Sequence, residues 1–211
     1  MSTLKDNKKS TPEALAVTPT PLIEWIKSRR SIGNLSEPAP SHAQIKAAVA
    51  CAATAPDHKK LQPWRFIVTE GAARAQLGAV LLQAAEAKAA REGAVLSDND
   101  RIKTAELPLR APVIITVVTH MQPHKKVPPF EQLLSAGAAV QNLILALQAQ
   151  GFNSVWRTGL LCNEPAVKAY FNVSAEDYVT AFVYTGSSLC DMPARKALDI
   201  EPLLRFESAP K

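Results

Sequence analysis

The run from Pro112 to Thr119 constrains the fold more than any other part of the chain. It contains Val113-Ile114-Ile115-Thr116-Val117-Val118, which is β-branched throughout. Such residues favour a β-strand, and the lack of a polar face indicates burial on both sides. We therefore predict a strand in the middle of a sheet. Two further apolar runs, Trp64–Thr69 and Tyr178–Thr185, are also predicted to be buried strands.

Helical patterns separate these strands along the chain. Predicted helices begin near residues 20, 41, 71, 97, 131 and 165, the last of them capped by Asn163-Glu164-Pro165. Ser41 and Gln44 form a capping box for the second helix, and Gly151 ends the long helix that starts at Glu131. Strands that alternate with helices predict a central sheet covered by helices, in an α/β or an α+β fold.

The composition predicts one domain. The chain has 211 residues, of which 47% are hydrophobic and 20% charged, enough apolar material for one core. We expect a flexible N-terminal tail over residues 1–17 and a single domain over residues 18–211. Neither a signal peptide nor a membrane span is expected, so the predicted location is cytoplasmic. Cys51, Cys162 and Cys190 lack any paired spacing and are predicted to be reduced, mostly buried thiols.

Charge and motif content exclude several common functions. The net charge is +5, but Lys and Arg are scattered among acidic residues, so no nucleic-acid partner is expected. The usual glycine-rich nucleotide loops, the serine-hydrolase elbow and the zinc-protease motif are absent. His120 and His124 have helical spacing, but Pro123 between them argues against a shared metal, and no metal site is predicted.

Three local clusters are candidates for ligand contacts. Arg29-Arg30-Ser31 could clamp an anion at a helix end, although taken alone the cluster is better explained as a solvated basic helix terminus. The loop from Pro56 to Trp64 is held by prolines and contains His58, but it could be an ordinary surface turn. Trp156-Arg157-Thr158-Gly159 offers an arginine, a hydroxyl and a glycine that permits close approach, or simply a buried tryptophan beside a surface arginine.

Taken in order, these clusters resemble the nitroreductase superfamily over roughly residues 22–186. The resemblance is closest to its compact branch of small NAD(P)H nitroreductases, in which the loop carries Pro-Asp-His-Lys. Each motif is weak alone, and their joint occurrence is specific. The matching motifs are Arg29-Arg30-Ser31, Pro56-x6-Pro63-Trp64, Arg110-Ala111-Pro112, Glu131-x3-Ser135-x-Gly137, Gln150-Gly151 and Trp156-Arg157-Thr158-Gly159.

The resemblance implies an α+β fold with a mostly antiparallel central sheet covered by helices. It also implies a homodimer that binds FMN at the subunit interface, with both chains contributing to each site. The implied FMN contacts are Arg29, Arg30, Ser31, Thr54, His58, Trp156, Arg157 and Thr158. Thr54 stands where the compact branch tends to carry an arginine, so Lys59 or Lys60 is an alternative phosphate contact. The implied contacts with the nicotinamide nucleotide are Ala146, Leu147, Gln148, Ala149, Gln150 and Gly151.

The implied activity is that of an FMN-dependent oxidoreductase. It would take hydride from NAD(P)H onto the flavin and reduce a small electrophilic acceptor, such as a nitroaromatic or a quinone, by a ping-pong mechanism. No catalytic side chain is expected, because the flavin carries the chemistry. Unsaturated carbonyls and halogenated aromatics are alternative acceptors. The alternatives from other classes are a non-catalytic FMN-binding or sensory protein and a basic nucleic-acid-binding domain.

Overall fold

A computed structural model describes residues 21–188, 190 and 195–207. The predicted tail, residues 1–17, lies outside these residues. The helices are α1 (Pro21–Ser28), α2 (His42–Ala52), α3 (Ala73–Arg91), α4 (Asp98–Ala105), α5 (Pro129–Ala149) and α6 (Pro165–Tyr170). The strands are β1 (Leu35–Ser36), β2 (Trp64–Glu70), β3 (Val113–Thr119), β4 (Asn153–Arg157) and β5 (Tyr178–Ser188).

The five strands form one sheet in which every strand pair is antiparallel. Its order is β1-β5-β3-β2, and β4 also pairs with β5. Every residue of β3 is buried, which confirms the prediction of a central strand. Of the two fold classes that the sequence pattern left open, the antiparallel pairing shows that the fold is α+β, as the family resemblance implied.

Helices cover both faces of this sheet. On one face, Val113 and Ile115 of β3 pack with α2 and α5, whose buried residues include Leu143. On the other face, Ile114 packs with α3 and with residues of α6 such as Val167. Alternate side chains of β3 therefore enter two separate cores, and this is why its sequence has no polar face.

Several local predictions are confirmed by hydrogen bonds and dihedral angles. Ser41 and Gln44 form the capping box at the start of α2, and Gly151 follows α5 with a φ of +86°. By length and composition alone α5 could cross a membrane. Its buried residues pack against the sheet, however, and core helices pass the same test.

Three predictions are wrong in part, and two strands were missed. β2 is an edge strand rather than a buried one, and Arg65 and Glu70 point to solvent. Asn163 does not cap α6, because its amide binds the backbone of Val179 instead. Cys51 and Cys190 are exposed, and Cys162 is the buried thiol among the described cysteines. Strands β1 and β4 were not predicted, since β1 has two residues and β4 mixes polar and apolar ones without alternation.

Candidate functional site

The first and third sequence clusters meet at strand β4. The segment after α1 runs beside β4, where Ser31 forms an isolated parallel bridge with Ser154. The Ile32 N–H donates to the Ser154 carbonyl at 3.0 Å. An Nη1 of Arg29 donates to Ser31 Oγ at 3.3 Å. The two arginines that follow α1 therefore lie next to the strand that carries Arg157.

Arg157 has an unusual environment. Its guanidinium carbon lies 5.5 Å from the ring centre of Tyr184, which is the geometry of a cation–π contact. A Cβ atom at Gly33 would lie 3.0 Å from its Nη2 atom. Its Nε atom is buried without a hydrogen-bond partner. Because buried N–H groups are nearly always paired, this donor is suited to a ligand acceptor.

The residues on either side of Arg157 are held in place by hydrogen bonds. The indole Nε1 of Trp156 donates to Thr158 Oγ1 at 2.5 Å, and that hydroxyl donates to the Thr180 carbonyl at 2.7 Å. The ring of Trp156 reaches α5, where its Cη2 lies 3.8 Å from the Cβ position of Gly137. The hydroxyl of Thr158 thus fixes the indole, which remains 38% exposed.

A cavity of about 480 Å³ opens beside this strand end. Its lining is mostly apolar and includes residues 156–162, Leu81, Leu107, Phe182 and Tyr184. Burial raises the pKa of the Cys162 thiol and raises that of Tyr184 to about 12, so both groups are neutral near pH 7. Among the described residues that line this cavity, Arg157 is the only charged one.

The second cluster, the loop from Pro56 to Trp64, is tied to α5 and to itself. His58 Nδ1 lies 2.7 Å from Glu131 Oε2, and Ser135 Oγ donates to the Pro56 carbonyl at 2.7 Å. The Asp57 carboxylate accepts two backbone N–H groups of the loop, at 3.1 and 2.7 Å. Three of its residues have left-handed backbone conformations, namely Lys59, Lys60 and Gln62. Such strain is characteristic of loops that present ligand contacts.

The second and third clusters contact different faces of α5. Glu131, Ser135 and Asn142 face the loop and the end of α2, where the Asn142 amide donates to Thr54 Oγ1 at 3.4 Å. Gly137 faces Trp156 on β4. Thr54 and His58 therefore stand on one side of this helix, and the β4 residues stand on another.

The predicted nicotinamide segment, Ala146–Gly151, makes contacts within the fold. Gln148 Nε2 donates to Ser28 Oγ at 3.0 Å, and Gln150 Nε2 donates to the Gln44 carbonyl at 3.2 Å. Leu147 is fully buried. These side chains join α5 to α1 and α2, and they do not line the cavity beside β4.

Sequence reasoning missed three contributions to this region. Gly33 and Tyr184 frame Arg157, and neither belongs to a recognised motif. In the C-terminal segment, Arg195 Nη1 donates to the Arg29 carbonyl at 3.3 Å. Arg195 and Lys196 line a second cavity, of about 660 Å³, beside α1. The adjacent basic residues Arg195 and Lys196 were the sequence feature that could have indicated this contribution. They add positive charge near Arg29.

Within the described ranges no cluster of three or more potential metal ligands occurs. His120 and His124 follow β3 in a loop. His120 pairs instead with the carboxylate of Asp177 at 3.0 Å.

Comparisons by sequence and by structure both find nitroreductase-like proteins. The Nitroreductase family profile matches residues 26–187. The chain is 41% identical over 165 residues to "Putative NAD(P)H nitroreductase YdjA" of Escherichia coli K12, covering 78% of this chain and 87% of that protein. Among solved structures, a "Nitroreductase-like Family Protein" from Bacillus cereus superposes with a TM-score of 0.75 at 20% identity, covering 91% of this chain and 98% of the other. A "putative nitroreductase in complex with fmn" from Desulfovibrio desulfuricans gives a TM-score of 0.65 at 24% identity, covering 92% and 100% of the two chains.

Proposed function

Because the chain belongs to the nitroreductase family, we propose that it is an FMN-dependent oxidoreductase that uses NAD(P)H to reduce a small electrophilic acceptor, such as a nitroaromatic or a quinone. The observation that carries this proposal is the environment of Arg157, a half-buried arginine whose Nε atom is buried without a partner beside an apolar cavity. The names of the relatives support the nicotinamide donor and the nitro acceptor, and a structural neighbour was solved with FMN.

The residues around the cavity fit FMN. When bound, FMN would supply the hydride-transfer chemistry, so the protein needs no nucleophile. The planar forks of Arg29 and Arg30, with the hydroxyl of Ser31, suit a phosphate. Arg195 and Lys196 add positive charge beside them. This group of five residues would hold the phosphate end.

Arg157 and its neighbours would hold the ring. A cation in an apolar cavity stabilises negative charge on a bound group more strongly than it would in water. Arg157 therefore favours a ligand that gains negative charge on reduction. The Gly159 N–H already donates to Cys162 Sγ at 3.3 Å, which leaves the Thr158 N–H as the candidate backbone donor.

We also propose a homodimer in which each site uses both chains. Phe130 and Leu134 on the outer face of α5 are 59% and 67% exposed, as expected of residues that a second copy covers. The β4 cluster lies on one side of this face, and Thr54 and His58 lie on the other. A second copy on α5 would bring the partner's His58 toward the β4 cluster, which the fold of one chain does not do.

Mixed dimers test this shared site. Chains carrying Arg157→Ala and chains carrying His58→Ala would be co-expressed with different affinity tags, and the heterodimer isolated. If each site takes Arg157 from one chain and His58 from the other, the heterodimer has one intact site and regains about half of the wild-type activity per dimer. Activity no higher than that of the two variant homodimers would contradict the proposal.

Initial-rate kinetics test the reaction. With NADPH or NADH varied against a nitroaromatic or a quinone, a ping-pong enzyme gives parallel double-reciprocal lines. Intersecting lines would contradict alternate use of one binding face, and an FMN-loaded protein with no turnover would favour the sensory alternative. Cytoplasmic location and the contacts of residues 146–151 with the nicotinamide nucleotide remain predictions.

A further inference from the structure

Gly33 lies two residues after Ser31, and its backbone conformation does not require a glycine. Its φ is not in the left-handed region, which among the described glycines is occupied by Gly71, Gly93 and Gly151. An L-residue could therefore adopt its backbone conformation. The constraint is space, because a Cβ atom would lie 3.0 Å from Arg157 Nη2 and 3.8 Å from Val155 Cγ1.

The contact at Gly33 is with the end of a flexible side chain. A new Cβ atom would be accommodated by a shift of the Arg157 guanidinium rather than by a change in the backbone. Tyr184 supports that guanidinium from β5, and Tyr184 is itself almost fully buried. A side chain at position 33 would consequently change where the positive charge of Arg157 lies, while leaving the fold intact.

We infer that Gly33 is a positioning residue, whose missing side chain lets the Arg157 guanidinium reach its place between Tyr184 and the segment that follows Ser31. This inference rests on the proposed function, because the position of the charge matters chemically only if FMN binds beside it. Moving the charge away weakens the binding of reduced FMN more than that of oxidised FMN, since only the reduced form gains negative charge.

The midpoint potential of bound FMN measures this effect. Two opposite unit charges about 3.5 Å apart attract each other less when they are moved about half an ångström further apart. At an effective dielectric of about 20, this loss of Coulomb energy alters an equilibrium constant about threefold. We expect Gly33→Ala to lower the preference for reduced FMN about threefold and Gly33→Val about tenfold. For a two-electron couple these changes correspond to potentials lower by about 15 and 30 mV.

A double-mutant cycle with Arg157→Ala separates positioning from other effects. If Gly33 acts through Arg157, Gly33→Ala should leave the potential unchanged in the Arg157→Ala background. An unchanged potential in the wild-type background would overturn the inference. So would a shift of equal size in both backgrounds. Urea unfolding of each variant confirms that the fold is retained.

A measurement without flavin keeps this test separate from the proposed function. The Nε–H resonance of Arg157 in the FMN-free protein is identified by its loss in Arg157→Lys, and it senses the ring of Tyr184. We expect Gly33→Ala to shift this resonance. The control Val95→Ala changes a side chain that is 93% exposed and should leave the resonance unchanged. If the wild type binds no FMN, the proposed function fails, and an unmoved Arg157 resonance would independently overturn the positioning role.

Discussion

Replacing Arg157 with alanine should separate stability from cofactor binding. In the FMN-free protein, the buried Nε without a partner costs about 1–3 kcal/mol of folding free energy. The contact with Tyr184 returns about 0.5–2 kcal/mol. Arg157→Ala removes both terms. We therefore expect its free energy of unfolding to lie within about 1 kcal/mol of the wild-type value.

FMN binding should respond much more strongly to the same change. A hydrogen bond from a charged donor contributes about 1.5–3 kcal/mol, which corresponds to an affinity for FMN lower by about 10- to 150-fold. Arg157→Lys keeps the charge but loses the planar fork, so its affinity should fall between those of the wild type and the alanine variant.

Two measurements distinguish a structural role of Arg157 from a role in FMN binding. Urea unfolding of the FMN-free proteins gives the stability difference, and quenching of FMN fluorescence gives the dissociation constants. A loss of more than about 2 kcal/mol of stability in Arg157→Ala, with unchanged FMN affinity, would refute the reasoning. Arg157 would then be a structural residue of the sheet rather than a ligand contact.

Two further predictions concern the scaffold. Gly78→Ala should cost about 1–3 kcal/mol in urea unfolding despite the better helix propensity of alanine, because the new Cβ would lie 2.0 Å from the Ala105 carbonyl oxygen. The matched control Gly137→Ala makes only an ordinary contact at 3.8 Å and should change stability by less than about 1 kcal/mol; equal stability of the two variants would disprove the close packing of α3 on α4. Burial raises the pKa of Asp177, but hydrogen bonds from His120 and a backbone N–H outweigh it and hold that pKa below its usual range. A depressed carboxyl pKa stabilises the fold above the unfolded pKa of about 4. Asp177→Asn should therefore lower the unfolding temperature at pH 7, with a difference that shrinks as the pH falls below about 4, and a pH-independent difference would contradict this.

The central strand and the long helix could be predicted because their signals are local. Val113 to Val118 excludes a solvent-facing side, and Gly151 ends α5 with a backbone conformation that favours glycine. β2 resembled β3 in composition, but its edge position depends on which strands lie beside it. That information is not contained in a run of seven residues.

The site could be predicted only in pieces. Composition and spacing gave Arg29-Arg30-Ser31 and Trp156-Arg157-Thr158 as separate candidates, and the family resemblance joined them. The contact between Ser31 and Ser154 is between segments distant in sequence, so no local pattern reports it. Gly33 and Tyr184 were missed for the same reason, because their importance lies in what the folded chain places next to them.

Anaerobic titration of the FMN-loaded protein tests the central claim most directly. The protein would be reconstituted with FMN, freed of excess cofactor and mixed with NADPH or NADH under nitrogen while the visible spectrum is recorded. The account predicts that the flavin absorbance bleaches with one equivalent of nucleotide and returns when a quinone or a nitroaromatic is added. A protein that retains no FMN, or whose bound FMN neither nucleotide can bleach, would contradict it.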